Sequence, residues 1–164
     1  MLSPHAAIVR VDNFFKPLAE WRPQFGRAIP HLRWEDLLIV LNQLRAGQTA
    51  RYRAYDWRKD RLGPETDVQA DCVIVEGLYA LKKSAAELYD LAIWVEAGMD
   101  SRMNRVVARD GTAFLDRWNR EYLPLERDYV EDEEPWRRAD IVVAGADMAL
   151  SKLGPQLLAT RSAI

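Results

Sequence analysis

Apolar residues recur along this chain with two periods. In "WEDLLIVLNQLR" they fall three and four apart, which predicts a helix over 34–45 that stops before Gly47. Four shorter runs are nearly continuous in apolar, often β-branched residues and predict strands: 6–11, 72–75, 91–95 and 141–143. Helical spacing returns over 100–109, 114–129 and 146–158. Strands thus alternate with helices, an order that favours a parallel α/β sheet covered by helices. The stretch 48–57, "QTARYRAYDW", breaks the alternation and is expected to form an exposed hairpin arm with "RLGPETD" as its return. No repeat, low-complexity tract or linker divides the chain, so one domain over 1–164 is expected.

Composition narrows the function classes. The formal net charge of -2 gives no basic excess, which argues against nucleic acid as the main partner while leaving a small anionic ligand open. No apolar run reaches membrane-spanning length, and the first residues lack a basic region followed by an apolar core. A single cysteine, Cys72, excludes an internal disulfide framework and suits a reducing cytoplasm; inside a strand it is expected to be a buried apolar residue. His5 and His31 have no metal-ligand spacing to each other or to Cys72, and are expected at the surface or in turns. Trp118 and Tyr129 are expected to pack in the core or between helices.

Candidate chemistry gathers at strand ends. The run 72–75 ends in Glu76 and Gly77, and the carboxyl edge of an open parallel sheet is where ligands bind. A strand simply reaching solvent has the same pattern. Asp12 follows the strand 6–11 and should project from the same edge, although a turn or cap residue there reads alike. Together the two carboxylates can orient an attacking hydroxyl and hold a magnesium ion. Arg102, Arg105 and Arg109 fall at i, i+3 and i+7, so one helical face carries three guanidiniums suited to phosphate oxygens; a solvated arginine face has the same spacing.

"VRVDNFFKP", "ARYRAYDWRKDRLG", "DCVIVEGLYAL", "YDLAIWVEA", "SRMNRVVARDG", "WNREYLPLERDYV" and "RADIVVAG", in this order, resemble the uridine kinase branch of the P-loop kinases, the phosphoribulokinase/uridine kinase family. The likeness runs from about Ile8 to Gly145. It implies a three-layer P-loop NTPase-like parallel sheet with helices on both faces and a small β-hairpin arm at the acceptor site. It also implies a cytoplasmic ATP-dependent phosphotransferase that uses Mg2+ and acts on a nucleoside or similar small hydroxyl acceptor. In this likeness Asp12 accepts the hydroxyl proton near the metal and Glu76 is linked to magnesium. Tyr55, Asp56 and Trp57 cup the nucleoside together with Phe15, which stands where many relatives carry tyrosine. Arg102 and Arg105 close over the ATP phosphates, with Arg109 also near the acceptor. Glu121 fits the family's helix after the lid. Arg33 occupies a position where relatives often have aspartate.

The family opens with a strand running into G-x-x-x-x-G-K-[ST], and no glycine of this sequence is followed by lysine. The resemblance therefore implies a domain lacking its first, central strand and phosphate loop. The strands 72–75 and 91–95 are then expected either to keep an unpaired edge each, through which copies associate as a homo-oligomer, or to be forced together in a sheet without the phosphate cradle. A non-catalytic remnant or truncated reading frame that retains the acceptor-side pocket is the alternative implied by the same absence.

Overall fold

A computed structural model describes residues 6–20 and 31–145. It is mixed α/β, and its chain falls into two compact units, Met1–Ala80 and Leu81–Ile164. The expected helix 146–158 and His5 lie outside the described residues.

In the first unit, β1 (Ala6–Arg10) pairs in parallel with β4 (Cys72–Glu76), with Arg10 opposite Glu76 at the carboxyl end. A 3-10 turn, Val11–Phe14, follows β1 directly. Helix α1 (Trp34–Arg45) has the bounds its periodicity predicts and buries Trp34, Leu37, Val40 and Leu41, one stripe of its surface. Each such side chain contributes about 1.5–3 kcal/mol when fully buried. The helix ends where Gly47 takes φ 72°, a left-handed conformation that a residue without Cβ adopts at little cost. The arm is an antiparallel hairpin of β2 (Ala50–Asp56) and β3 (Arg61–Val68), as expected. Its register shifts between Arg53 and Tyr55, and this irregularity puts Tyr55 among the buried residues. Val9, Val11, Phe14 and Leu37 are fully buried and form the centre of the unit.

In the second unit, β5 (Ile93–Glu96) pairs in parallel with β6 (Ile141–Ala144). Leu81, Ala92 and Ala139 form a small core against which Tyr89, Trp94 and Val142 pack. Burial raises the Tyr89 phenol to about 12. Helix α2 (Met99–Asp110) ends at Gly111, whose φ is 81°. The stretch expected as one helix over 114–129 is instead a 3-10 turn, Thr112–Phe114, a short helical run, Leu115–Arg117, a π turn, Trp118–Tyr122, and a helix, Leu123–Glu133. Pro124 explains the interruption. It has no N–H to offer the carbonyl four residues back and its ring crowds that carbonyl, so the ladder shifts just before it. Tyr129 is buried and Trp118 half-buried against Tyr122, at 5.3 Å between ring centroids.

Three expectations are corrected. The strand 72–75 is not buried on both faces: Cys72 and Ile74 are exposed, and Cys72 is a surface thiol. Among the described residues β4 has β1 as its single ladder partner, so an edge and a face stay open. The run 91–95 behaves likewise, with Ile93 and Val95 exposed and β6 as the one partner of its strand. An apolar run reports affinity for burial; burial itself needs a neighbour. His31, expected at the surface or in a turn, is 1% exposed. It lies among aromatic rings that sequence spacing does not bring together.

Candidate functional site

The first unit gathers the acceptor-side candidates. Because β1 and β4 run parallel and in register, Asp12 and Glu76 leave the same edge of one strand pair, and both are exposed. Gly77, at φ 138°, makes room there: a Cβ on it would come within 3.0 Å of the Val11 side chain. The glycine after the strand-end glutamate is thus required by the close passage of the two chain segments. Glu76 is paired with Arg10 at 3.2 Å, with both side chains more than half exposed.

The turn after β1 also sets out the rings. Phe15 and Leu32 form an antiparallel bridge, and the Lys16 amide donates to the His31 carbonyl at 2.8 Å. Phe15 then lies 4.7 Å from Trp57 and 4.8 Å from His31, centroid to centroid, with Tyr55 at 6.3 Å. Trp57 meets Tyr55 edge-on at 4.8 Å, and His31 meets Tyr79 at 5.4 Å. Phe15 and Tyr55 are buried while Trp57 is 51% exposed, so the indole is the ring that the cluster offers to solvent. The Tyr55 hydroxyl donates to Asp60 Oδ1 at 2.7 Å, and the same oxygen accepts the Leu18 amide at 2.8 Å. Asp56 caps the hairpin turn by accepting the Arg58 and Lys59 amides, at 3.0 and 3.2 Å. Desolvation opposes ionisation of Asp56, yet these amides and the Lys59 ammonium hold its carboxyl below the usual range.

Burial, reinforced by the Lys16 charge, lowers the His31 imidazole to about 4, so it is neutral at pH 7. Arg33 is the other residue whose role the sequence does not announce. Its guanidinium donates to the Asn13 carbonyl at 3.1 Å, to the Arg53 carbonyl at 2.7 Å and to Asp36 at 2.7 Å, and lies 5.5 Å over the Phe14 ring. The one sequence signal is the i, i+3 spacing to Asp36 at a helix start.

The second unit carries Arg102, Arg105 and Arg109 on α2. Arg102 is ion-paired to Glu126, a buried carboxylate whose burial raises its pKa more than the guanidinium lowers it. Arg109 grips Asp110 through two bonds, at 2.9 and 2.7 Å, and this holds the Asp110 carboxyl below the usual range. Arg105 is exposed. Glu121 pairs with Arg117 at 2.8 Å.

A model of the phosphoribulokinase/uridine kinase family matches residues 28–114, just over half of the 164-residue chain. The chain belongs to this family. Membership supports a kinase of the phosphoribulokinase/uridine kinase type, a class that in general implies ATP, a divalent metal and a small-molecule substrate. A solved structure described as a possible uridine kinase from Bacillus stearothermophilus is similar in fold, with a TM-score of 0.60 and 19% identity over 84% of this chain and 71% of that one. The uridine kinase-type P-loop fold expected from the sequence is thereby established. No curated protein matches the kinase sequence. None of its described helices is long and apolar enough to cross a membrane.

Two hard-oxygen donors, Asp12 and Glu76, suit magnesium, which is bound through one or two carboxylates with waters and substrate phosphates completing its shell. Among the described residues no group of three or more His, Cys, Asp or Glu stands ready to hold a metal, so an all-protein cage is not what this edge supplies.

Proposed function

We propose that this kinase-family chain carries the acceptor side of an ATP-dependent phosphotransferase for a nucleoside or similar small hydroxyl compound, working in the cytoplasm. The single observation that carries the reading is the ring cluster of Phe15, Tyr55 and Trp57 beside the turn that presents Asp12. A planar base stacks on an exposed indole, backed here by two buried rings, with Asp56 at the neighbouring arm tip to read its edge. Asp12 then accepts the proton of the acceptor hydroxyl, and Asp12 and Glu76 would hold Mg2+. Arg102, Arg105 and Arg109 neutralise phosphate charge, and this requires Arg102 and Arg109 to exchange their present carboxylates for phosphate oxygens. When bound, Mg2+ would supply charge neutralisation for the transferring phosphoryl group.

Calorimetry with uridine tests the acceptor side. Binding by the folded chain, weakened by Asp12→Ala and by Trp57→Ala, supports it, and no binding removes it. A second reading, a non-catalytic pocket that binds acceptor without turning it over, is favoured by one observation: none of the eight glycines precedes a lysine, so these residues contain no G-x-x-x-x-G-K-[ST] cradle. Uridine monophosphate formation by the 164-residue chain, lost in Glu76→Ala, would decide for catalysis.

A further inference from the structure

We infer that Arg33 is a positioning residue of the acceptor site, fastening the Asp12 turn to the hairpin arm; this rests on the acceptor reading above. The side chain is 14% exposed, and its planar fork is filled from several directions. One terminal nitrogen donates both to the Asn13 carbonyl, in the turn after β1, and to the Arg53 carbonyl, in β2. Nε reaches the Phe15 carbonyl at 3.4 Å, and the other terminal nitrogen holds Asp36 in the first turn of α1. Arg33 also contributes its own amide, which donates to the Phe14 carbonyl at 2.8 Å. Three segments distant in sequence therefore meet on one guanidinium.

The place of the contact matters. Arg53 lies where the β2–β3 register shifts, immediately before the residues that carry Tyr55 and Trp57 into the ring cluster. Asn13 and Phe15 flank the aromatic step of the turn that presents Asp12. A tie between these carbonyls fixes where the arm's rings stand relative to the proton acceptor. Such a tie needs a planar donor with several N–H groups in fixed directions. Lysine offers one ammonium on a flexible stem and cannot span the same carbonyls together. Three of the partners are backbone carbonyls, and those of Asn13 and Phe15 are part-buried, so loss of the fork should loosen the turn and release the arm from it.

The test compares wild type, Arg33→Ala, Arg33→Lys and Asp36→Asn as full chains. Hydrogen exchange is read over β2 and over residues 12–16, with α2 as internal control, and uridine affinity is read by calorimetry on variants that remain folded. The expected result is exchange at least about tenfold faster in both segments for the two Arg33 variants with α2 unchanged, and uridine binding about tenfold weaker. Arg33→Lys keeps the charge and a long aliphatic stem, so it reports even where Arg33→Ala fails to fold. Asp36→Asn leaves the carbonyl bonds intact and should leave affinity within about twofold. A purely structural role lowers melting temperature but spares uridine affinity. Wild-type exchange and affinity in Arg33→Lys would overturn the proposal. Absence of uridine binding by wild type would remove the acceptor reading, and the exchange rates alone would then decide: faster in both segments supports the tie, unchanged overturns it.

Discussion

Gly77 passes so near Val11 that a Cβ on the glycine would stand 2.7 Å from the Val11 Cβ. Its φ of 138° is also outside the range that L side chains readily adopt. Both penalties fall on Gly77→Ala, which is expected to cost about 2–4 kcal/mol, measured by urea denaturation. The contact joins the residues next to Asp12 and Glu76, and Val11→Ala in the same background should not recover the loss, because alanine keeps the Cβ that stands 2.7 Å away and Val11 is itself fully buried. A Gly77→Ala protein as stable as wild type would show that the two segments part freely.

Asp60 pins the arm tip by accepting both the Tyr55 hydroxyl and the Leu18 amide while standing at φ 46°. Asparagine keeps the accepting oxygen and tolerates the left-handed backbone; alanine does neither. Thermal melts should therefore place Asp60→Asn within about 1 kcal/mol of wild type and Asp60→Ala about 1.5–3 kcal/mol below it. Equal losses in the two variants would mean that charge, not geometry, holds the tip.

His31 makes stability depend on acidity. With its folded pKa near 4 and the unfolded value at 6.5, the unfolded chain binds the extra proton first. Stability tied to neutral His31 is complete above the unfolded pKa and falls as pH drops towards 4. His31→Phe keeps a ring in the cluster and removes the titration. The stability difference between wild type and His31→Phe should shift by about 3 kcal/mol between pH 7 and pH 4, against wild type at the acid end. A difference that does not change with pH would mean that the imidazole is solvated in the folded protein.

Removing Arg102 leaves the buried Glu126 carboxylate without its ion pair. Arg102→Met should destabilise by about 1–2 kcal/mol at pH 7, a figure discounted for the partial exposure of the arginine. The acid's raised folded pKa makes this penalty a neutral-pH effect: it appears as pH rises above the unfolded value and fades on acidification. Arg102→Met with Glu126→Gln should regain most of the loss. No recovery in the double variant would place the cost in lost packing of the arginine stem.

Helix α1 was legible to the residue, because its periodicity, its glycine stop and its buried stripe are all local properties. The hairpin arm and the four parallel strands were legible for the same reason, with ends displaced by a residue or two. The exposure of Cys72 and Ile74 was not, because a strand's composition is indifferent to whether a neighbour is present. The burial of His31 was equally hidden, since its rings come from Phe15 and Tyr79, one on each side of the arm in sequence. At the site, the sequence located the candidate side chains but not their restraints. Arg33 fills its fork with backbone carbonyls, and every residue has a carbonyl, so no residue type marks the partner.

The pairing of β1 with β4 sets Ala6 opposite Cys72, whereas the arm pairs residues only a few positions apart at its tip. The two ladders consequently form on different clocks. A hairpin closes within about 1–10 microseconds, as soon as both its strands exist. During synthesis at about 5–20 residues per second, β1 emerges roughly 3 to 13 seconds before the last residues of β4. For that interval β1 lacks the strand it pairs with among the described residues, and the arm is complete before the strand pair that carries Asp12 and Glu76 can close. The time a nascent chain spends in this half-paired state is set by the ribosome, so slower translation of the segment between the two strands lengthens the exposure of β1 without altering a single residue.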